Sequence, residues 1–259
     1  LTGLPNRALL SDRLDRAIGM HRPSPPDPEL AGRPLPADVV GLLEGLTPTR
    51  AIRRYRDEPV PTEVLRAILF AASRAPSGSN RQPFRFVVLT DGPKAQQAKH
   101  LIAESARRSW EGKRVTDAYG SGSGAAVSSP KARMARVMEG YVREFERVPV
   151  LILPCLVRYR APTPFEGASI FPACQNLLLA ARALGYGGVL TGWHFAVEDE
   201  LRTLLEIPDG VFPAATITLG RPEGAHGKVR RRPLGELVFE ETWGSAPAWA
   251  VDPPGTEHT

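Results

Sequence analysis

Lysine is scarce in this chain. Only Lys94, Lys99, Lys113, Lys131 and Lys228 stand among its 33 basic residues, so arginine carries the positive side of a net charge of +5. Guanidinium groups grip phosphate through paired N–H bonds, which makes the places where arginines cluster more informative than the modest overall excess. Cysteine is scarcer still. Two thiols in 259 residues, Cys155 in an apolar run and Cys174 in an expected helix, exclude a disulfide scaffold and suit a reducing compartment, with the cytoplasm as the default. A long apolar run is also missing: the longest, residues 148–157, is broken by Pro149 and Pro154, whereas a spanning helix needs about 20 apolar residues. The chain opens Leu1-Thr2-Gly3-Leu4-Pro5-Asn6-Arg7, without an initiating Met or a basic-then-apolar signal. It therefore reads as beginning inside a longer frame or at a processed end, with export unsupported. No pair of histidines, cysteines or carboxylates stands at metal-ligand spacing and no Gly-x-Ser-x-Gly elbow occurs, so neither a metal site nor an α/β-hydrolase nucleophile is expected.

What is present, 42% hydrophobic and 24% charged residues, describes a globular chain long enough for one large domain. Six prolines between His21 and Pro36 mark residues 21–37 as a solvated linker. Ahead of it, residues 1–20 form a short helical head, with Leu9, Leu10, Leu14, Ala17 and Ile18 at helical spacing but too few residues to bury a core. The main domain spans residues 38–245, and residues 246–259 read as a flexible tail. Inside the domain, helices are expected at 62–76 with Thr62 as N-cap, 93–111, 131–146, 168–184 and 197–205. Strands are expected at 84–89, 148–157, 188–190, 212–219 and 236–239. Apolar residues on more than one face of the helix at 168–184 predict a second subunit against it.

Four segments carry the chemistry. Pro76-Ser77-Gly78-Ser79-Asn80-Arg81-Gln82-Pro83-Phe84 joins a helix end to a strand, and either forms a plain turn or offers N–H groups, a hydroxyl and an amide to a flat anionic ligand. Arg50-Ala51-Ile52-Arg53-Arg54-Tyr55-Arg56 packs four arginines into seven residues. Read as a helical turn, it sets Arg50, Arg53 and Arg54 on overlapping faces, where they hold an anion or form a solvated basic face. Lys228-Val229-Arg230-Arg231-Arg232-Pro233-Leu234 leads into an apolar stretch, which favours a fixed phosphate site over a nucleic-acid tail. Gly185-Tyr186-Gly187-Gly188-Val189-Leu190-Thr191-Gly192-Trp193-His194 is a strand ending in a small-residue turn with an indole and an imidazole; the plain reading is a packed or solvated histidine and a core tryptophan. The Gly120-Ser121-Gly122-Ser123-Gly124 stretch lacks a strand before it and reads as a flexible insert rather than a dinucleotide fingerprint.

In this order and spacing, together with Gln175-Asn176-Leu177-Leu178-Leu179-Ala180-Ala181-Arg182, the segments resemble the FMN-dependent nitroreductase family over residues 47–243. The resemblance implies an α+β fold, a mixed sheet flanked by helices, in an intertwined homodimer with an FMN in each of two interface clefts and NAD(P)H as donor. It implies phosphate and ribityl ligands at Arg50 and Arg53 beside Ala51, and a C-terminal phosphate ligand at Arg231. Pro76, Ser77, Gly78 and Asn80 would line the ring system, and Thr191 and Gly192 would form the turn facing flavin N5. Thr49-Arg50-Ala51 stands where many members have arginine-arginine-serine, which leaves Arg54 or Lys228 to supply the missing charge. His194 and Trp193 are the substrate-face candidates, and no general acid is assigned.

The implied activity is hydride transfer from NAD(P)H through flavin to an electron-poor acceptor such as a nitroaromatic or quinone. Reductive dehalogenation or flavin breakdown on the same fold is one alternative; a nucleic-acid or nucleotide-signalling protein is another, weakened because Tyr55 alone is interleaved with the arginines. Residues 1–20 also resemble the opening of diguanylate cyclase domains, but the Gly-Gly-Asp-Glu-Phe signature is absent from the chain.

Overall fold

The longest apolar run, residues 148–157, becomes the middle of a sheet. A computed structural model of the chain describes residues 27–30, 33–224, 227 and 229–258; the expected head, its cyclase-like opening and Lys228 lie outside the described residues. In chain order the elements are α1 (Leu42–Leu46), α2 (Thr62–Ser73), β1 (Phe84–Leu89), α3 (Pro93–Thr116), α4 (Pro130–Arg143), β2 (Val150–Val157), α5 (Phe171–Ala183), β3 (Gly187–Thr191), α6 (Glu198–Leu205), β4 (Val211–Pro213) and β5 (Thr216–Gly220). The sheet order is β1-β2-β5-β3, with β4 on the same edge of β2 as β5.

Every residue of β2 is buried, and its alternation assigns the two cores. Val150, Ile152 and Leu156 join Ile68 of α2 and Cys174 and Leu177 of α5 on one face. Leu151, Leu153, Cys155 and Val157 join Ile102 of α3 and Leu201 of α6 on the other. Each such side chain contributes about 1.5–3 kcal/mol when removed from water, so helices on both faces are required and the α+β expectation holds. Both cysteines are free and buried, and burial pushes their thiols up to about 12. Among the described residues, no helix is long and apolar enough to cross a membrane.

Several local expectations are corrected. The sheet is not mixed among the described residues: every ladder is antiparallel. The strand expected at 236–239 does not form; Leu234–Glu236 is a 3-10 turn behind Pro233, with no ladder partner among the described residues. Thr62 is the first helical residue rather than the cap, because Pro61 precedes it and its carbonyl takes the N–H groups of Val64 and Leu65. The strand expected at 212–219 splits into β4 and β5 beyond Pro213, which has no N–H to donate. Residues 246–258 are not a free tail: Asp252 accepts the Leu234 N–H at 2.9 Å, Arg230 pairs with Glu257 at 3.0 Å, and Ala250 is buried. Part of the linker is likewise tied down, Arg66 of α2 donating to the carbonyls of Leu30 (2.9 Å) and Arg33.

Gly188 sets how closely β3 lies on β5, since a Cβ there would run into the Thr218 carbonyl and meet Leu178 Cδ2 at 3.1 Å. Gly188→Ala is therefore expected to cost about 1–3 kcal/mol through overpacking, read as a lower thermal midpoint. An unchanged midpoint would mean that β3 can shift without loss.

Candidate active site

Residues 50–56 are extended, where the sequence predicts a helical turn. The Ile52 N–H donates to Gly188 O at 3.0 Å, the Arg56 N–H to Arg221 O at 2.9 Å, and Arg54 O accepts from Glu223 N at 3.0 Å. These bonds to β3 and to the end of β5 satisfy backbone groups that a helix would have used internally, and the extended path separates like charges. Two side chains pin the segment. Ile52 seats over Gly187 and the Tyr55 ring over Gly220, at positions where a Cβ would collide with them. Tyr55 Oη lies 2.6 Å from Ile52 O and 2.8 Å from Thr218 Oγ1, which is 2.7 Å from Tyr141 Oη. Because Ile52 O can only accept, the Tyr55 proton goes to it, Thr218 donates to Tyr55, and Tyr141 donates to Thr218. Burial raises both phenols well above the usual tyrosine range, so this chain of bonds is neutral.

With Ile52 and Tyr55 turned inward, Arg50, Arg53 and Arg56 face a cleft of about 730 Å³, within the span of about 300–1,000 Å³ common for small-molecule sites. Arg182 of α5, Arg221 and Arg231 also line it, Ala51 sits at its wall, and among the described residues no carboxylate lines it. Arg221 is engaged by Glu58 at 2.5 Å and by the Tyr186 hydroxyl at 3.1 Å. Among the described residues, Arg50 and Arg231 donate from their side chains only to backbone carbonyls, those of Gly227 (3.3 Å) and Arg230 (2.8 Å). Arg53 Nε, Arg182 Nε and Thr191 Oγ1 at the end of β3 are buried without a hydrogen-bond partner among the described residues. Orphaned donors of this kind cost about 1–3 kcal/mol each. Together with uncompensated guanidinium charge, they fit an anionic ligand bearing a phosphate. Arg56, Arg182 and Arg221 were not among the expected site residues; Arg182 stood in a quoted helix motif, with nothing local to say what its face meets.

The other expected residues lie elsewhere. Arg54 borders a neighbouring depression with Asp57 and Arg143 that shares Arg53 and Arg56 with the cleft, and its guanidinium lies 3.6 Å from where a Cβ on Gly224, at the cleft's edge, would stand. Pro76 and the turn Gly78–Asn80 stand at the opposite end of α5, where Gly78 N donates to Ser169 Oγ at 3.3 Å and Ser77 Oγ accepts from Gln82 N at 2.8 Å. Ser79, Asn80 and Gln82 hold positive φ values of 54°, 50° and 50°, and non-glycine residues in this region mark a turn over-determined by its surroundings. Most of the 13-residue α5 lies between this turn and Arg182, a helix rise of about 16 Å. One chain therefore presents the two halves of the expected site on different surfaces.

His194 is not a substrate-face residue. It is fully buried, with Nδ1 2.9 Å from Thr216 Oγ1 and Nε2 2.9 Å from Pro213 O, and burial pushes its imidazole down to about 4. Since Pro213 O can only accept, the neutral ring carries its proton on Nε2. Trp193 is packed too, its ring 5.4 Å from Tyr141 and 5.7 Å from Phe145, and its carbonyl accepts from Ser105 Oγ at 2.6 Å. Phe195 is the aromatic this turn exposes, 54% accessible and stacked on Phe212. Thr191 and Gly192 stand just past Leu190, the last residue of β3 that lines the cleft.

Comparisons with known proteins agree with this geometry. Residues 46–221 match the model of the nitroreductase family. An NADH dehydrogenase of Thermus thermophilus is 30% identical over 195 residues, covering 73% of this chain and 91% of that protein. An FMN reductase (NAD(P)H) of Bacillus subtilis is 26% identical over 208 residues, covering 78% and 74%. A solved structure from Desulfovibrio desulfuricans, described as a nitroreductase in complex with FMN, superposes with a TM-score of 0.55 at 30% identity, covering 78% of this chain and 97% of that one. With the family model matched from the last residue of α1 to just past β5, the chain belongs to the nitroreductase family.

Proposed function

We propose that the protein is an FMN-dependent oxidoreductase that takes hydride from NAD(P)H and passes it to an electron-poor acceptor such as a nitroaromatic or quinone, in a reducing compartment, the cytoplasm. The observation that carries this reading is the cleft of six arginines without a lining carboxylate, with the buried Nε atoms of Arg53 and Arg182 unpartnered among the described residues. Bound FMN would supply the hydride-carrying chemistry, as cofactors do, while the protein binds and orients it. Arg50, Arg53 and Arg231 hold the phosphate and ribityl end, and the glycine-rich β3 leads to the Thr191-Gly192 turn at the ring.

The working unit is a homodimer. Phe70 of α2 and Phe171 of α5 are 49% and 46% exposed, on two helices that pack against each other over one face of the sheet. A two-fold axis that sets α5 antiparallel to its copy brings the Pro76, Ser77, Gly78 and Asn80 turn of one subunit to the arginine cleft of the other. Tyr55, the aromatic among the arginines, has its ring seated over Gly220, which leaves it unavailable for base stacking and disfavours the nucleic-acid reading.

Purified protein should be yellow, bind FMN at about one per subunit, oxidise NAD(P)H in the presence of a nitroaromatic or quinone, and scatter light as a dimer at micromolar concentration. Protein that is colourless and takes up no FMN ends the flavin reading; a monomer with FMN bound ends the dimer reading alone.

A further inference from the structure

We propose that Arg182 is a phosphate ligand of this site, supplying from α5 the charge that the arginine segment lacks; the proposal rests on the flavin reading above. Two turns of α5 alternate between core and cleft. Ala173, Cys174, Leu177 and Ala181 are buried against the sheet, while Gln175, Leu178 and Arg182 line the cleft. Arg182 is the charged member of that face, and its stem runs under α1, where a Cβ on the buried Gly45 would lie 3.8 Å from Arg182 Cγ.

A guanidinium held this way needs a partner. No carboxylate lines the cleft among the described residues, and Arg182 Nε is buried with no hydrogen-bond acceptor among them. The negative end of α5 offsets part of its charge, about half an elementary charge at most. Arg221, its neighbour in the cleft, shows the contrast, with both Glu58 and the Tyr186 hydroxyl engaged. The other group that could have served a phosphate from this side, the Thr49 hydroxyl, is spent on the Gly45 carbonyl. A phosphate monoester carries close to two negative charges with three acceptor oxygens, so it can take a fork from α5 in addition to the arginines of residues 50–53 and Arg231.

The test compares FMN with riboflavin, which lacks the phosphate, by flavin fluorescence titration of the apo-protein. Arg182→Gln is expected to weaken FMN binding about 10- to 100-fold, the size of one charge-assisted contact, and to leave riboflavin binding within about twofold. Arg182→Lys should recover part of the FMN loss, because it restores charge without the planar fork. The thermal midpoint of the apo-protein should hold or rise in Arg182→Gln, since an orphaned buried donor has been removed. Equal weakening of FMN and riboflavin would overturn the proposal and make Arg182 a wall of the ring pocket. Unchanged FMN affinity would overturn it as well. Wild-type protein that binds riboflavin and FMN equally would overturn it by showing that no phosphate is held, and wild-type protein that binds neither would sink the flavin reading with it.

Discussion

Replacing Arg50 and Arg231 together by alanine is expected to weaken FMN binding by about 100- to 10,000-fold, enough for the protein to purify without its cofactor. Each side chain reaches the cleft from a distant part of the chain, with only backbone carbonyls as partners among the described residues. Each is therefore free to make a charge-assisted contact worth about 1.5–3 kcal/mol, or about one to two orders of magnitude in affinity for either single variant. The double variant can fall short of the product, because Arg53 and Arg182 share the same dianion and can shift toward it. Arg231 is singled out from its neighbours by geometry: Arg230 is paired with Glu257 at 3.0 Å and Arg232 with Glu236 at 3.6 Å, while Arg231 turns into the cleft. Turnover per bound flavin should change little in the single Arg231→Ala variant, since a phosphate anchor acts on binding rather than on the reacting ring. Flavin-to-protein ratio and flavin-normalised NAD(P)H oxidation separate the two effects. Full FMN retention by the double variant would refute the assignment of both arginines.

The sequence was readable where a local pattern and the tertiary structure ask for the same thing. β1 lies at 84–89 as expected, and β2 was visible because a strand covered on both faces must be apolar at every position, which residues 150–157 are. The arginine segment was misread because local propensity and tertiary bonding disagree. Alanine and arginine favour a helix, but the carbonyls of Gly188 and Arg221 take the N–H groups of Ile52 and Arg56, and the glycines of β3 and β5 leave room for Ile52 and Tyr55 to lock in. Arg182 was hidden for a different reason. Helical period places it off the core face of α5, but only the fold says that this face borders the arginine cleft rather than water. The separation of Ser77, Gly78 and Asn80 from Arg50 follows from the length and direction of α5, and a motif order along the chain carries no information about which subunit completes which site.

His194 is where the plain reading won, and its consequence is a pH dependence of stability rather than of catalysis. Its imidazole is fully buried, both ring nitrogens are satisfied, and burial holds its folded value at about 4 against 6.5 for the free side chain. Between those values the unfolded chain binds a proton that the native state refuses. Stability therefore falls as pH drops from about 6.5 to about 4, and this contribution levels off below that window, for a total of about 3 kcal/mol. His194→Gln removes the titration. At pH 7 the variant should be less stable by about 2–4 kcal/mol, because glutamine cannot meet both Thr216 Oγ1 and Pro213 O in the ring's geometry and leaves buried polar groups unpaired. As pH falls, wild type should lose its advantage, and the two should approach equal stability near pH 4. Carboxylates such as Glu144 and Glu146, held below the usual range by Arg143 and Arg107, are common to both proteins and cancel in the difference. Urea unfolding of wild type and variant at four pH values between 7 and 4 reads this out directly. Two curves that stay parallel would mean that the native imidazole takes up its proton freely, which would return His194 to an accessible surface and reopen its role at the substrate face.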